Sequence, residues 1–269
     1  MSLASAIRQQ LIVNLSQDPV DPSLTLNNCL RLLSKWRSLL IQNTLIQNEG
    51  TKVLQGPLAG LDFIENSAEG CHVAKLLGSY EQPLHPHIRK ALSGPYSKII
   101  NIGCAEGYYA VGFAVAMPQL ISLAFDTNLN AQKACRELAK KNGVSDRVEV
   151  GGLFMPADFA AHENEAALIF CDIEGGEEDL LDPISAPALR NLDIIVESHE
   201  CLRPGITREL ISRFEPTHRI ELVEDDGARQ LDAVPDWFKN LSHLDQLLAT
   251  WEWRSGPTPW LVMRANRNP

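Results

Sequence analysis

The sequence predicts an α/β protein built on a doubly wound, mostly parallel sheet, with a helical and hairpin extension in front of it. Three observations predict it. Residues 98–116, KIINIGCAEGYYAVGFAVA, read as strand, glycine turn and helix, the first unit of a nucleotide-binding α/β fold. Beyond them, short apolar runs alternate with helical segments. Four strand ends are polar: 103–107, Asp126, 172–174 and 197–199. Open sheets of this kind gather such ends in one crevice beyond the carboxyl edge.

The chain has 269 residues, of which 45% are hydrophobic, enough for one large domain with a smaller extension. The division falls at residue 92, with 1–92 as the extension and 93–269 as the ligand-binding domain. A net charge of -10 and a pI near 5.2 argue against nucleic acid as a partner, because sequence-independent binding needs a basic face. No apolar run approaches the ~18 residues of a membrane span, and no signal peptide opens the chain. Cys29, Cys71, Cys104, Cys135, Cys171 and Cys201 form no C-x-x-C pair and read as small buried hydrophobes in a reducing, cytoplasmic setting.

Taken in order, residues 2–15 carry Leu3, Ile7, Leu11 and Leu15 at helical spacing. Asp18-Pro19 and Asp21-Pro22 break that helix. Asp21 caps the next one, with Pro22 in its first turn. It runs to about Asn48, with Leu26, Leu30, Leu33, Arg37 and Leu40 along one line, and Gly50 stops it. This pair reads as a packing accessory or a homodimer surface, with a lid as the third option. Residues 52–64 look like strand, Gly-Pro turn and strand. His85 and His87, either side of Pro86, read as surface-loop histidines.

Ile99, Ile100 and Ile102 suit a buried parallel strand. Met117-Pro118 ends the helix that follows, since a residue before proline leaves the α region. Residues 120–125 form a second strand, ending at Asp126. Thr127 caps a helix over 128–142, and Gly143 stops it. Strands follow at 147–150, 166–171 and 193–196, with a short helix at 156–163 between the first two. A helix at 207–214, a strand at 218–223, one long helix over 235–253 and a last strand at 260–264 complete the chain.

The glycine turn selects among ligands. A dinucleotide site needs G-x-G-x-x-G, whose third glycine position here is Tyr108. The spacing G-x-G-x-G is met by Gly103, Ala105 and Gly107. It resembles motif I of the class I S-adenosylmethionine (SAM)-dependent methyltransferases, with alanine for the middle glycine. Asp126, ~20 residues on, stands where a carboxylate accepts hydrogen bonds from ribose hydroxyls. The resemblance implies SAM as cofactor, held around Asn101, Gly103, Ala105, Glu106, Gly107, Tyr108, Asp126, Thr127 and Asp172. Gly152 and Leu153 fall where the family's chain passes the adenine. The LLG-x-YE stretch at 76–81 resembles one that precedes motif I in some bacterial members, which implies Tyr80 and Glu81 near the cofactor mouth.

Two further stretches, CDIEGGEEDLL and IIVESHE, resemble the FkbM-like methyltransferases, a family with O-methyltransferases of small molecules and sugars. The likeness spans about residues 75–263 and implies that the last two strands form an antiparallel hairpin. It implies an enzyme methylating a small-molecule acceptor, with oxygen favoured over nitrogen. His199 is the candidate base, because imidazole titrates near neutrality, and Glu197 or Asp172 would orient it. Glu174 and His199 are the candidate substrate contacts. Glu177 and Glu200 read as solvated, and His243 as packing. A competing likeness is to catechol-type O-methyltransferases, in which Asp172, Glu197 and Ser198 would hold a divalent cation. The default mechanism needs no metal. The remaining alternative is a SAM-fold binding or partner protein without catalysis.

Overall fold

In the computed structural model, which describes residues 2–16, 21–65, 71–254 and 256–266, seven strands form one sheet. They are β1 (Lys98–Ile102), β2 (Ile121–Phe125), β3 (Val148–Gly151), β4 (Ala167–Cys171), β5 (Asp193–Glu197), β6 (His218–Val223) and β7 (Trp260–Ala265). Their order is β3-β2-β1-β4-β5-β7-β6. Only β7 runs antiparallel, wedged between β5 and β6. The chain therefore winds outward in both directions from β1 and β4, and a crevice opens where the direction of winding reverses.

Register puts the functional strand ends level. Ile102 pairs with Phe125 on one side and Cys171 on the other, and Cys171 pairs with Val196. Gly103, Asp126, Asp172 and Glu197 thus leave the sheet at one edge. β4 and β5 are buried along their whole length, as strands covered on both faces must be.

The helices are α1 (Leu3–Ser16), α2 (Pro22–Glu49), α3 (His72–Leu77), α4 (His85–Leu92), α5 (Tyr108–Ala116), α6 (Leu129–Lys141), α7 (Glu177–Leu180), α8 (Ile206–Phe214), α9 (Asp236–Lys239) and α10 (His243–Thr250). One face of the sheet packs Phe113, Leu138 and Phe170 in a cluster with Ile41, Leu45, Phe63, Leu77 and Ile88 of the N-terminal part. The other face packs Ile100, Ile169 and Ile194 against Leu189, Leu210 and Phe214. The N-terminal part therefore shares a core with the sheet. No helix among the described residues is long and apolar enough to cross a membrane.

Several local expectations change in three dimensions. Asp18-Pro19 lies outside the described residues. Asp21 does cap α2, accepting from the Ser23 amide at 2.8 Å. The buried face of α2, however, is Cys29, Ser38, Ile41, Gln42 and Leu45, while Leu26 and Leu30 are exposed. Residues 52–64 reverse direction through a single antiparallel bridge, Lys52 to Asp62, rather than two strands. His85 is buried at the start of α4, where its Nε2 bonds the Tyr80 carbonyl at 3.0 Å. Asn128, not Thr127, caps α6. The long late helix is broken into α9 and α10, because the Ser242 hydroxyl caps the second piece by accepting from the Asp245 amide. His243 opens that piece, exposed. Five cysteines are buried and free, and Cys201 is exposed.

Candidate active site

The glycine turn after β1 is built by close approach. Gly103 has φ 77°, and a Cβ there would stand 1.6 Å from the Asp172 carbonyl oxygen, so no side chain fits. Gly107, at φ 92°, caps α5 and faces the Cys135 sulfur. Between them Ala105 adopts φ 46°, which aims its amide at Asp126 Oδ2, 2.9 Å away. Asp126 Oδ1 accepts the Asn128 amide at 2.7 Å. Two backbone donors thus fix this carboxylate, and each oxygen keeps a lone pair for a further donor.

A cavity of about 660 Å³ opens beside this turn. Tyr80, Gly103, Ala105, Asp126, Thr127, Gly152, Leu153, Asp172 and Glu174 line it. Phe125, Phe154, Ile173 and Leu180 add apolar wall. A polar rim over an apolar slot of this size suits a nucleoside-sized ligand. Other residues expected around a cofactor lie elsewhere. Asn101 is buried within β1 and donates to the Phe170 carbonyl. Tyr108 is buried edge-on against Phe63. Glu106 is fully buried and pairs with Lys75 at 2.5 Å. Lys75 does reach the cavity wall, with its ammonium 4.9 Å from the Tyr80 ring centre. Its place in the apolar run HVAKLL was the one available signal of a buried, paired lysine.

His199 stands one side chain behind the wall. Its Nδ1 lies 2.8 Å from Glu177 Oε1. Glu177, read from the sequence as solvated, is fully buried, and the same oxygen accepts the amides of Ile173 and Gly175. Left-handed conformations at Glu174 and Gly175 turn the chain back to place it there. His199 Nε2 faces Glu174 Oε2 at 3.3 Å, Asp172 Oδ1 at 3.5 Å and Glu197 Oε2 at 3.8 Å. Burial works against a charged imidazole, but the Glu177 hydrogen bond and the charges of Glu197, Glu177 and Glu174 prevail and hold its pKa above the ordinary 6.5. Burial likewise opposes the Glu177 carboxylate, yet the bond to His199 holds its pKa below the usual range. Asp172 is driven well upward, by burial first and then by Glu197, Glu81, Glu174 and Glu177.

Behind Glu197 lies a charge network that sequence patterns did not suggest. Arg254 pairs with Glu197, with Glu81 at 3.2 Å and with Glu252 at 3.2 Å. Arg229 pairs with Glu252 and Asp225, both at 2.6 Å. Glu81 is buried in a left-handed turn and accepts the Tyr109 hydroxyl. Burial and then the Glu197 charge push its pKa up to about 8, with Arg254 opposing. Glu200 accepts the Gly205 and Thr207 amides at the start of α8, so it is a cap and not a free charge. Ser198 does not join Asp172 and Glu197. Its hydroxyl donates to the Pro259 carbonyl at 2.9 Å and contacts Thr207. Among the described residues, the ligand atoms that do converge, within 4.8 Å, are those of Asp172, Glu174 and His199 and those of Glu81, Asp172 and Glu197.

The arrangement sets a nucleoside-sized hollow beside the turn and a buried imidazole behind the wall that carries Asp172 and Glu174. No family model and no curated protein matches the chain. Among solved structures it is similar to the O-methyltransferase TomG from Streptomyces achromogenes in complex with SAM, at 14% identity and a TM-score of 0.47 over 71% of this chain and 82% of that one. It is similar to the human methyltransferase 10 domain containing protein at 12% identity and 0.46, over 86% and 95%. The C-terminal domain of precorrin-6Y C5,15-methyltransferase from Rhodobacter capsulatus matches at 16% and 0.43, over 66% and 85%. Likenesses this distant carry no weight for the chemistry of this chain, which rests on its own residues.

Proposed function

We propose that the chain is a SAM-dependent methyltransferase acting on a small-molecule hydroxyl. One observation carries this reading: a glycine turn and a strand-end carboxylate, Asp126, bound a nucleoside-sized cavity at the switch point of the sheet. Asp126 would accept from ribose hydroxyls while the Ala105 and Asn128 amides hold it. Leu153, Phe154 and Ile173 would flank a base, and a Cβ at Gly152 would meet nothing nearer than Gln132 Nε2 at 3.8 Å. When bound, SAM supplies a methyl group already activated by its sulfonium.

The protein's remaining task is to orient the acceptor and take its proton. His199 Nε2 is the acceptor of that proton, and the resulting imidazolium is stabilised by Glu177 on its other nitrogen. Glu174, with a side chain 73% exposed, is the group an incoming acceptor displaces to reach it. Glu197 is engaged by Arg254, so it supports the site from behind.

Calorimetry with S-adenosylhomocysteine tests the cofactor half. Binding in the micromolar range is expected, and Asp126→Ala should weaken it by roughly 10- to 100-fold, the worth of lost charge-assisted hydrogen bonds. Absence of heat with the parent protein would refute the assignment. The burial of His199 favours one rival, a chain that binds SAM without turning it over. Release of S-adenosylhomocysteine on adding hydroxyl acceptors separates the two. Turnover is expected to withstand a chelator, and its loss would instead favour a cation at the carboxylate cluster.

A further inference from the structure

We propose that two copies of this chain pair through the front half of α2, supported by α1. Leu26, Leu30, Leu33, Arg37 and Leu40 recur at alternating four- and three-residue spacing, the pattern of a helix–helix seam. The rear of that seam is occupied within the chain, since Arg37 forms a bidentate pair with Asp245 of α10 at 2.6 and 2.7 Å. The front is open among the described residues: Leu26, Leu30 and Leu33 are 61%, 63% and 40% exposed. On α1, Ile12, Val13 and Leu15 are also exposed. A seam half filled and half bare calls for another helix on the bare half.

Charge leaves this face free to take a second copy. The whole chain carries -10, yet residues 2–49, the span of α1 and α2, hold four basic and three acidic side chains. This arm is therefore where two acidic molecules can meet without stacking negative charge. The basic groups nearest the seam are turned inward. Arg31 donates to the Trp253 and Arg254 carbonyls, and the Lys35 ammonium lies 4.9 Å from the Trp253 ring centre. Identical faces can then meet about a two-fold axis with little like-charge repulsion. Six large apolar side chains, each about half exposed, supply much of the ~800 Å² per partner that a stable interface buries.

Sedimentation equilibrium on the full chain at about 100 µM tests this, because the pairing follows mass action. The expected mass is twice 29.8 kDa. The double variant Leu26→Lys, Leu30→Lys should return to 29.8 kDa, with the dimer dissociation constant raised at least ~100-fold. Leu26→Gln with Leu30→Gln keeps helix propensity without adding charge and should raise it at least ~10-fold. Ile184→Lys, at an exposed apolar site outside the arm, should leave the mass at the parent value. A parent chain of 29.8 kDa, or a dimer unaffected by both double variants, overturns the proposal.

Discussion

Glu177 and His199 show how much one hydrogen bond decides at the residue scale. A buried carboxylate that also accepts two amides cannot rotate away, so it fixes which imidazole nitrogen faces the cavity. The active form of a base is the unprotonated one. Because the His199 pKa is held above the ordinary value of 6.5, turnover should rise with pH through a midpoint above 6.5. Glu177→Gln removes the group that raises it. The midpoint should move to lower pH and kcat should fall at least ~10-fold, while KM for SAM stays put. A pH–rate profile with an unmoved midpoint would take Glu177 out of this role. Gly103→Ala is the matching test of the turn. A Cβ 1.6 Å from a backbone carbonyl forces β1 and the loop after β4 apart, so a loss of about 3 kcal/mol or more is expected in urea unfolding.

At the scale of elements, the short helices α3 and α4 carry their own pH signature. His72 and His85 are buried in them, and burial lowers both pKa values to about 4. Below the ordinary 6.5 an unfolded chain binds protons at these positions that the folded chain does not. Stability should therefore be lost as pH falls from about 6.5 towards 4, by on the order of 3 kcal/mol for each histidine. His85→Asn should flatten this slope by about half, as read from urea midpoints across that range. An unchanged slope would place the acid sensitivity elsewhere, for instance in the carboxylates paired with Arg229. Above pH 7 neither histidine contributes to the slope, since both are neutral in folded and unfolded chain alike.

For the molecule as a whole, the extension and the sheet share one apolar cluster. Phe63, Leu77 and Ile88 lie in the same apolar cluster as Phe113 and Phe170, and the Arg254 guanidinium joins the late chain to the early one by donating to Glu81 at 3.2 Å. Thermal unfolding followed by tryptophan fluorescence and by far-ultraviolet circular dichroism should give coincident curves. Removing residues 1–92 should leave the rest unable to fold, because it strips one face of the sheet and exposes α5. A folded, SAM-binding 93–269 fragment would show instead that the shared cluster is dispensable.

The sequence by itself determined the seven strands of the sheet, the glycine turn and the level polar strand ends. These follow from neighbours in the chain: β-branched runs that only a covered sheet can bury, and Gly103 and Gly107 where the backbone turns left-handed. Asp126 was legible for the same reason, since it closes the next strand. What only the tertiary structure decided was the partnership of charges. Glu177 lies in a run of acids, EGGEED, with nothing local to mark it as the buried one. Arg254 is an isolated arginine that reaches Glu197 and Glu81 only because β7 is inserted beside β5. Which face α2 buries is decided in the same way, as its apolar line is continuous but its cover is not. Local patterns record what a residue can do with its neighbours in sequence. Which carboxylate loses its water, and which leucine keeps it, depends on the elements that fold against it.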